Sequence, residues 1–229
     1  KTVLDCGLEV FESLNLPITI FLNTSSLEGK IFWRDKVRFI INNNLVEEFK
    51  NFTTKIIRTN GQDFYKYTKN KNNNSIIVEN EIDKFIDHKN IGSQLNSYSI
   101  DSSKYFINHP LVSYGNHSHN HYVMSSLTFD EQFQEINNTK KVLIANGINH
   151  SKVFSLPFGR PDDFNDNTIN ILENEGYDAM LMSQNLLNFP FSADKTRSNI
   201  ILLERFMPKS VLLPTTMKEI FLRTIKNQI

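Results

Sequence analysis

The chain has 229 residues with 39% hydrophobic content, enough for one α/β domain with a substantial core or a core carrying a large insertion. Its 25 basic and 25 acidic residues cancel, so composition gives no footing for nucleic acid or an anionic membrane surface as partner. The single cysteine, Cys6, excludes an intrachain disulfide framework and a cysteine-built zinc site, and no apolar run approaches the ~20 residues that cross a bilayer.

Thr2 to Leu14 places Leu4, Leu8, Phe11 and Leu14 at helical spacing between acidic residues, which predicts an amphipathic helix with Cys6 buried in it. No signal peptide is legible at Lys1–Asp5, and both cell envelope and cytoplasm stay open as compartments. Asn15-Leu16-Pro17 ends the helix, and Ile18–Leu22 reads as a buried strand. A helix followed at once by such a strand is half of a βαβ unit, with the leading strand missing. Beyond a polar loop, Ile31–Ile41 can form a helix with Phe32, Val37, Ile40 and Ile41 inward and Arg34, Lys36 and Arg38 outward. The polar chain that follows has only short helical patches such as Ile82–Ile86, and Asn70–Asn74 reads as a mobile loop. Residues 1–229 therefore form one expected domain, with a helical insertion at about 32–103. His88 gets no role inside it.

Pro110–Tyr114 is a short apolar strand ending at Gly115, and the stretch Asn116–His121 then holds three of the six histidines. Neutral imidazoles at a strand mouth suit zinc and its neighbours. His117 and His121 would share one face if the chain turned helical, with His119 pointing elsewhere. Thr128 caps the next helix, with Asp130 and Glu131 in its first turn. Phe133, Ile136, the Lys140 stem, Val142, Leu143 and Ile144 are expected to face inward, and Asn146-Gly147 ends it. Strands at Val153–Phe158, Tyr177–Met182 and Asn199–Phe206 alternate with helices at Asp166–Glu175 and Thr215–Lys226. That alternation predicts parallel α/β packing, open or closed into a barrel, with the active site beyond the carboxyl ends of the strands.

The motifs resemble the polysaccharide deacetylases of carbohydrate esterase family 4, the NodB-homology domain. Pro17–Leu22 is similar to that family's P-A-T-F-F-V strand, and Gly115–His121 with Ser126-Leu127 to its H-S/T-x-x-H motif. Leu156-Pro157-Phe158-Gly159 resembles its third motif, Gly176–Ala179 the following turn, and Phe32–Asp35 a W-D insertion of one subgroup. The resemblance implies a distorted (β/α) barrel and a metal-dependent hydrolase, with a divalent ion, Zn²⁺ first, held by one Asp and two His. It implies an N-acetylated or O-acetylated glycan as substrate, with His117 and His121 as ligands and the Phe158 backbone N–H at the oxyanion. Trp33 and Asp35 would then stack a sugar and accept a hydroxyl, or pack the insertion against the core. Pro157 and Arg205 complete the implied substrate contacts, and His119 either hydrogen-bonds behind the ligands or is a solvent-facing or packed residue.

Three departures qualify the resemblance. The family's T-F-D-D-G motif, source of the base and the Asp ligand, is absent. Val3-Leu4-Asp5-Cys6-Gly7 is a substitute in composition, but the about nine residues from Gly7 to Pro17 are too few for a ~12-residue helix with turns. The expectation is thus a chain that starts just after the catalytic motif, as a fragment or a truncated product, binding metal weakly and turning over poorly or not at all by itself. The arginine of the third motif is missing, and Leu203-Glu204-Arg205-Phe206 stands where the family's L-x-H acid would be; arginine cannot serve as that acid. Asp162 and Asp163 follow the third motif and either reach the site or start a helix, and Asp178, His109 and His150 read as structural or loop residues. The alternative reading is a degenerate domain that binds carbohydrate or a protein partner without chemistry.

Overall fold

A computed structural model describes residues 7–98, 106–188, 196–207 and 213–226. Its strands are β1 (Ile18–Leu22), half-buried where a buried strand is expected, β2 (Val112–Asn116), β3 (Val153–Ser155), β4 (Ala179–Met182), the exposed β5 (Thr196–Arg197) and β6 (Ile200–Glu204). They make one sheet in the order β1-β2-β3-β4-β6-β5, parallel throughout except for β5 against β6. This is the expected α/β class, consistent with a distorted barrel of the NodB type, and the sheet is open. Register brings Leu22 beside Asn116, Ser155 beside Leu181 and Met182 beside Glu204. The carboxyl ends of β1 to β4 and β6 therefore share one rim, where the motif residues follow.

Of the first expected helix, α1 (Leu8–Ser13) is described, and it buries no residue. Leu14, expected inward, is 61% exposed; Asp5 and Cys6 lie outside the described residues. The insertion folds as α2 (Trp33–Asn42), α3 (Val46–Phe52), α4 (Phe64–Tyr67) and α5 (Ser75–His88) around its own core of Trp33, Ile40, Phe49, Phe64, Ile82 and Phe85. Edge-to-face contacts of Phe49 with Phe64 and Phe85, both at 5.4 Å, give that core its geometry.

Two expectations about this region are corrected. The Asn70–Asn74 run is tied into the fold by side-chain amides that copy backbone groups. Asn73 accepts from the Ile57 N–H (2.7 Å) and donates to the Ile57 and Tyr67 carbonyls (2.8 Å each). Asn74 caps α5 by accepting from the Ile76 and Ile77 N–H groups. Arg34, expected outward, is 1% exposed. Its guanidinium donates to Thr68 Oγ1 (3.0 Å) and the Tyr65 carbonyl (2.7 Å) and lies 4.1 Å from the Tyr65 ring centre. Ring faces and neutral oxygens replace the missing carboxylate, and burial pushes Arg34 down to about 10.

α6 (Phe129–Ala145) begins at Thr128 with a full capping box to Glu131. Its buried stripe is Gln132, Glu135, Ile136, Thr139 and Leu143, while Ile144 is exposed. The half-polar stripe corrects the expected apolar one, because α6 lies over the histidine loop and supplies its hydrogen-bond partners. α7 (Asp166–Asn174) packs on α6 and closes a second core of Ile136, Phe154, Leu172 and Met180. α8 (Leu213–Lys226) is the last described helix. Among the described residues no helix is long and apolar enough to cross a membrane.

Candidate metal centre

The loop after β2 starts from a tight contact that requires glycine. A Cβ at Gly115 would stand 2.5 Å from the Phe21 ring, so only glycine lets β1 and β2 pair here. Asn116, fully buried, then organises the turn. Its amide donates to the Ile136 carbonyl (2.8 Å) and the Tyr177 hydroxyl (2.7 Å), and its Oδ1 accepts the Ser118 N–H (2.8 Å). Ser118 and His121 adopt left-handed backbone (φ 61° each), and Ser118 Oγ accepts the His121 N–H at 2.9 Å. The expected helical turn does not form. A left-handed bend brings the His117 and His121 rings together instead, with centroids 4.7 Å apart and planes at 85°.

The two rings differ in how they are held. His117 Nδ1 lies 2.5 Å from the Ser155 carbonyl oxygen, which can only accept, so Nδ1 carries the proton and Nε2 the lone pair. His121 Nδ1 is buried with no hydrogen-bond partner. Phe158 (4.7 Å) and Phe32 (5.3 Å) meet the His121 ring edge-on. Burial pushes His117 down to about 4 and His121 down to about 3, the latter with help from His117 itself. Both are neutral at pH 7, the state in which imidazole binds a cation. An orphaned buried nitrogen beside an oriented neutral imidazole fits two positions of a zinc shell. Among the described residues no third His, Cys, Asp or Glu completes a group with them. Asp162 pairs with Lys71 (2.7 Å) and Asp163 accepts the Arg160 N–H (2.8 Å).

The third motif forms the facing wall. Pro157 is buried and its carbonyl accepts the Gly159 N–H at 2.7 Å; Phe158 follows with φ 61°. The Phe158 N–H has no acceptor among the described residues. Gly159 (φ 79°) is irreplaceable, since a Cβ would meet Ser183 N at 2.6 Å and Arg205 Nη2 at 2.8 Å. Arg205 stands behind this turn, donating from Nε to the Met182 carbonyl (2.9 Å) and from Nη2 to that of Leu156 (3.3 Å). It braces the wall from behind, in the place the sequence suggested for a substrate contact.

Trp33 is 1% exposed, and its Nε1 donates to the His121 carbonyl at 3.1 Å. Its ring packs against Tyr122 and Phe158, leaving no face for a sugar, so the packing alternative describes it. Asp35 engages Arg38 at 2.6 Å. His119 is buried, with Nδ1 2.9 Å from Thr24 Oγ1, and serves packing. His109 contacts Glu12, and His150 stacks on Tyr177.

Glu135 is the residue that sequence reasoning missed. One oxygen accepts the Asn120 N–H (2.8 Å), the other the Asn120 amide (2.6 Å), and its backbone carbonyl accepts the His119 N–H (2.9 Å). Burial pushes its carboxyl up to about 7. The signal was a charge one residue before Ile136, on the inward side of an otherwise amphipathic helix.

The family model described as polysaccharide deacetylase aligns with residues 2–180 of the chain. No curated protein and no solved structure matches the chain.

Proposed function

The chain belongs to the polysaccharide deacetylase family, and on that premise we propose that it hydrolyses acetyl groups from an N-acetylated or O-acetylated glycan at a divalent cation held by His117 and His121. The observation that carries this reading is the pair of neutral imidazoles, one aimed by Ser155 and the other with a buried, unpartnered nitrogen. Zn²⁺ is the first candidate, because two nitrogens at a strand mouth suit it. Bound there, such an ion lowers the pKa of water and polarises an acyl oxygen. The protein's own groups do the rest. The Ser155 carbonyl keeps His117 in one tautomer, and Glu135 fixes the loop between the two rings. The Phe158 N–H, which has no acceptor among the described residues, can donate to the negative oxygen that develops on the acetyl group. Arg205 holds the Leu156 and Met182 carbonyls, and with them the direction of that N–H.

Acetate release from N-acetylchitotetraose tests the proposal. Turnover with Zn²⁺, abolished by EDTA and restored by metal, is the expected result; absence of turnover in neutral buffer with saturating Zn²⁺ contradicts it. A second reading, a carbohydrate-binding domain without chemistry, is favoured by one observation: no carboxylate joins the histidines among the described residues. Glycan binding without acetate release would select it.

A further inference from the structure

A cleft of about 200 Å³, lined by Phe158, opens between α4 and the third-motif turn, and the Phe158 ring also meets that of His121 at 4.7 Å. Lys69 and Arg160 line it, together with Lys66, Lys71, Asp162 and Asp163. Four cations meet two carboxylates, so the cleft is net positive even with the Asp163 charge acting on Lys69 and Arg160. Asp162 pairs with Lys71, and buried Asp163 accepts the Arg160 N–H. Lys66 pairs with Asp63 at 3.3 Å. Lys69 and Arg160 form no ion pair among the described residues. The Lys69 ammonium rests 5.0 Å from the Phe158 ring centre and 5.2 Å from that of Tyr65, so ring faces hold it at the cleft. Burial lowers its pKa, and the nearby Arg34 and Arg160 charges add to that effect.

We propose that this cleft binds an anionic substituent of the glycan, a carboxylate or a phosphate ester, with Lys69 and Arg160 as its cationic pair. The inference rests on the deacetylase reading for its substrate and deepens it: the Phe158 ring both lines the cleft and meets that of His121, so the charged group sits on or next to the acetylated sugar. Two unpaired cations flanking an apolar ring suit a sugar bearing one negative charge. They give a neutral chitin-like chain no charged partner.

Calorimetry on the zinc-supplemented protein tests this, with N-acetylchitotetraose, a hyaluronan tetrasaccharide and N-acetylglucosamine 6-phosphate as probes, the last against N-acetylglucosamine. The expected result is binding about tenfold tighter for one anionic probe than for its neutral counterpart, falling with salt. Which probe shows it tells carboxylate from phosphate. The K69Q/R160Q variant should lose that preference and bind the neutral probes as before. Its thermal midpoint is read alongside, and the Arg160 backbone bond to Asp163 does not depend on the substituted side chain. Equal or absent binding of all probes, or a preference that survives in a folded variant, overturns the inference. Acetate release is measured separately. An anionic preference without release retains the cleft and removes the deacetylase reading, and release without preference does the reverse.

Discussion

The sheet half and the helical half of the molecule meet at the histidine loop and are built on different chemistry. The sheet half has an aliphatic and methionine core, Ile136, Leu156, Leu172 and Met180 among it, and presents its working residues on turns at one rim. The helical half has a core in which aromatic rings and aliphatic side chains are mixed, and it commits polar side chains, Arg34, Asn73 and Asn74, to its own backbone and loops. Trp33 joins the halves, since its ring belongs to the helical core and its N–H holds His121. The difference teaches that the insertion acts as the support of the candidate site, and its polar sequence conceals a fixed structure.

Breaking the junction should have the largest effect on stability of any single substitution. Trp33→Ala removes a buried ring and the donor to the His121 carbonyl, and is expected to cost about 3–5 kcal/mol in urea unfolding. A ligand pair independent of the insertion would instead keep full metal affinity in whatever variant remains folded. Asn73→Ala is next. It leaves the Ile57 N–H and two carbonyls without their partner, at roughly 1–3 kcal/mol, where a mobile loop would show no change.

The acid limb of stability sharpens the comparison from the sheet side. His117 and His121 titrate in the folded protein at about 4 and about 3, below their ordinary 6.5. The unfolded chain therefore takes up protons first, and stability should fall as pH drops from 6.5 toward 4, by up to ~1.4 kcal/mol per pH unit for each ring. The H117A/H121A variant should flatten that limb. Glu135 works in the opposite sense. Its folded carboxyl keeps a proton up to about 7 against an ordinary 4.5, so its contribution declines as pH rises between those values, and Glu135→Gln should remove that decline. Asn74→Ala is the smallest expected change, about 1 kcal/mol for a lost cap on α5.

Much of the sheet half was legible because periodicity and turn chemistry act locally there. Ile18–Leu22, the Thr128 cap and the Leu156–Gly159 turn each announce themselves within a few residues. The geometry of the histidines was not legible, since a four-residue separation suggests a helix and the loop uses left-handed bends at Ser118 and His121. Glu135 escaped assignment, and the bracing contacts of Arg205 were not legible, for a related reason. Their roles depend on partners brought near by folding, Asn120 for one and the Leu156 and Met182 carbonyls for the other. In the insertion, asparagine composition masked residues that replace backbone hydrogen bonds one by one.

The central claim is that His117 and His121 together form a divalent-cation site. Zinc titration by calorimetry, run on the protein and on the H117A/H121A variant, tests it most directly. Weak binding of about one Zn²⁺ per chain that disappears in the variant is the predicted result; a wild-type isotherm that matches the variant's would contradict the account.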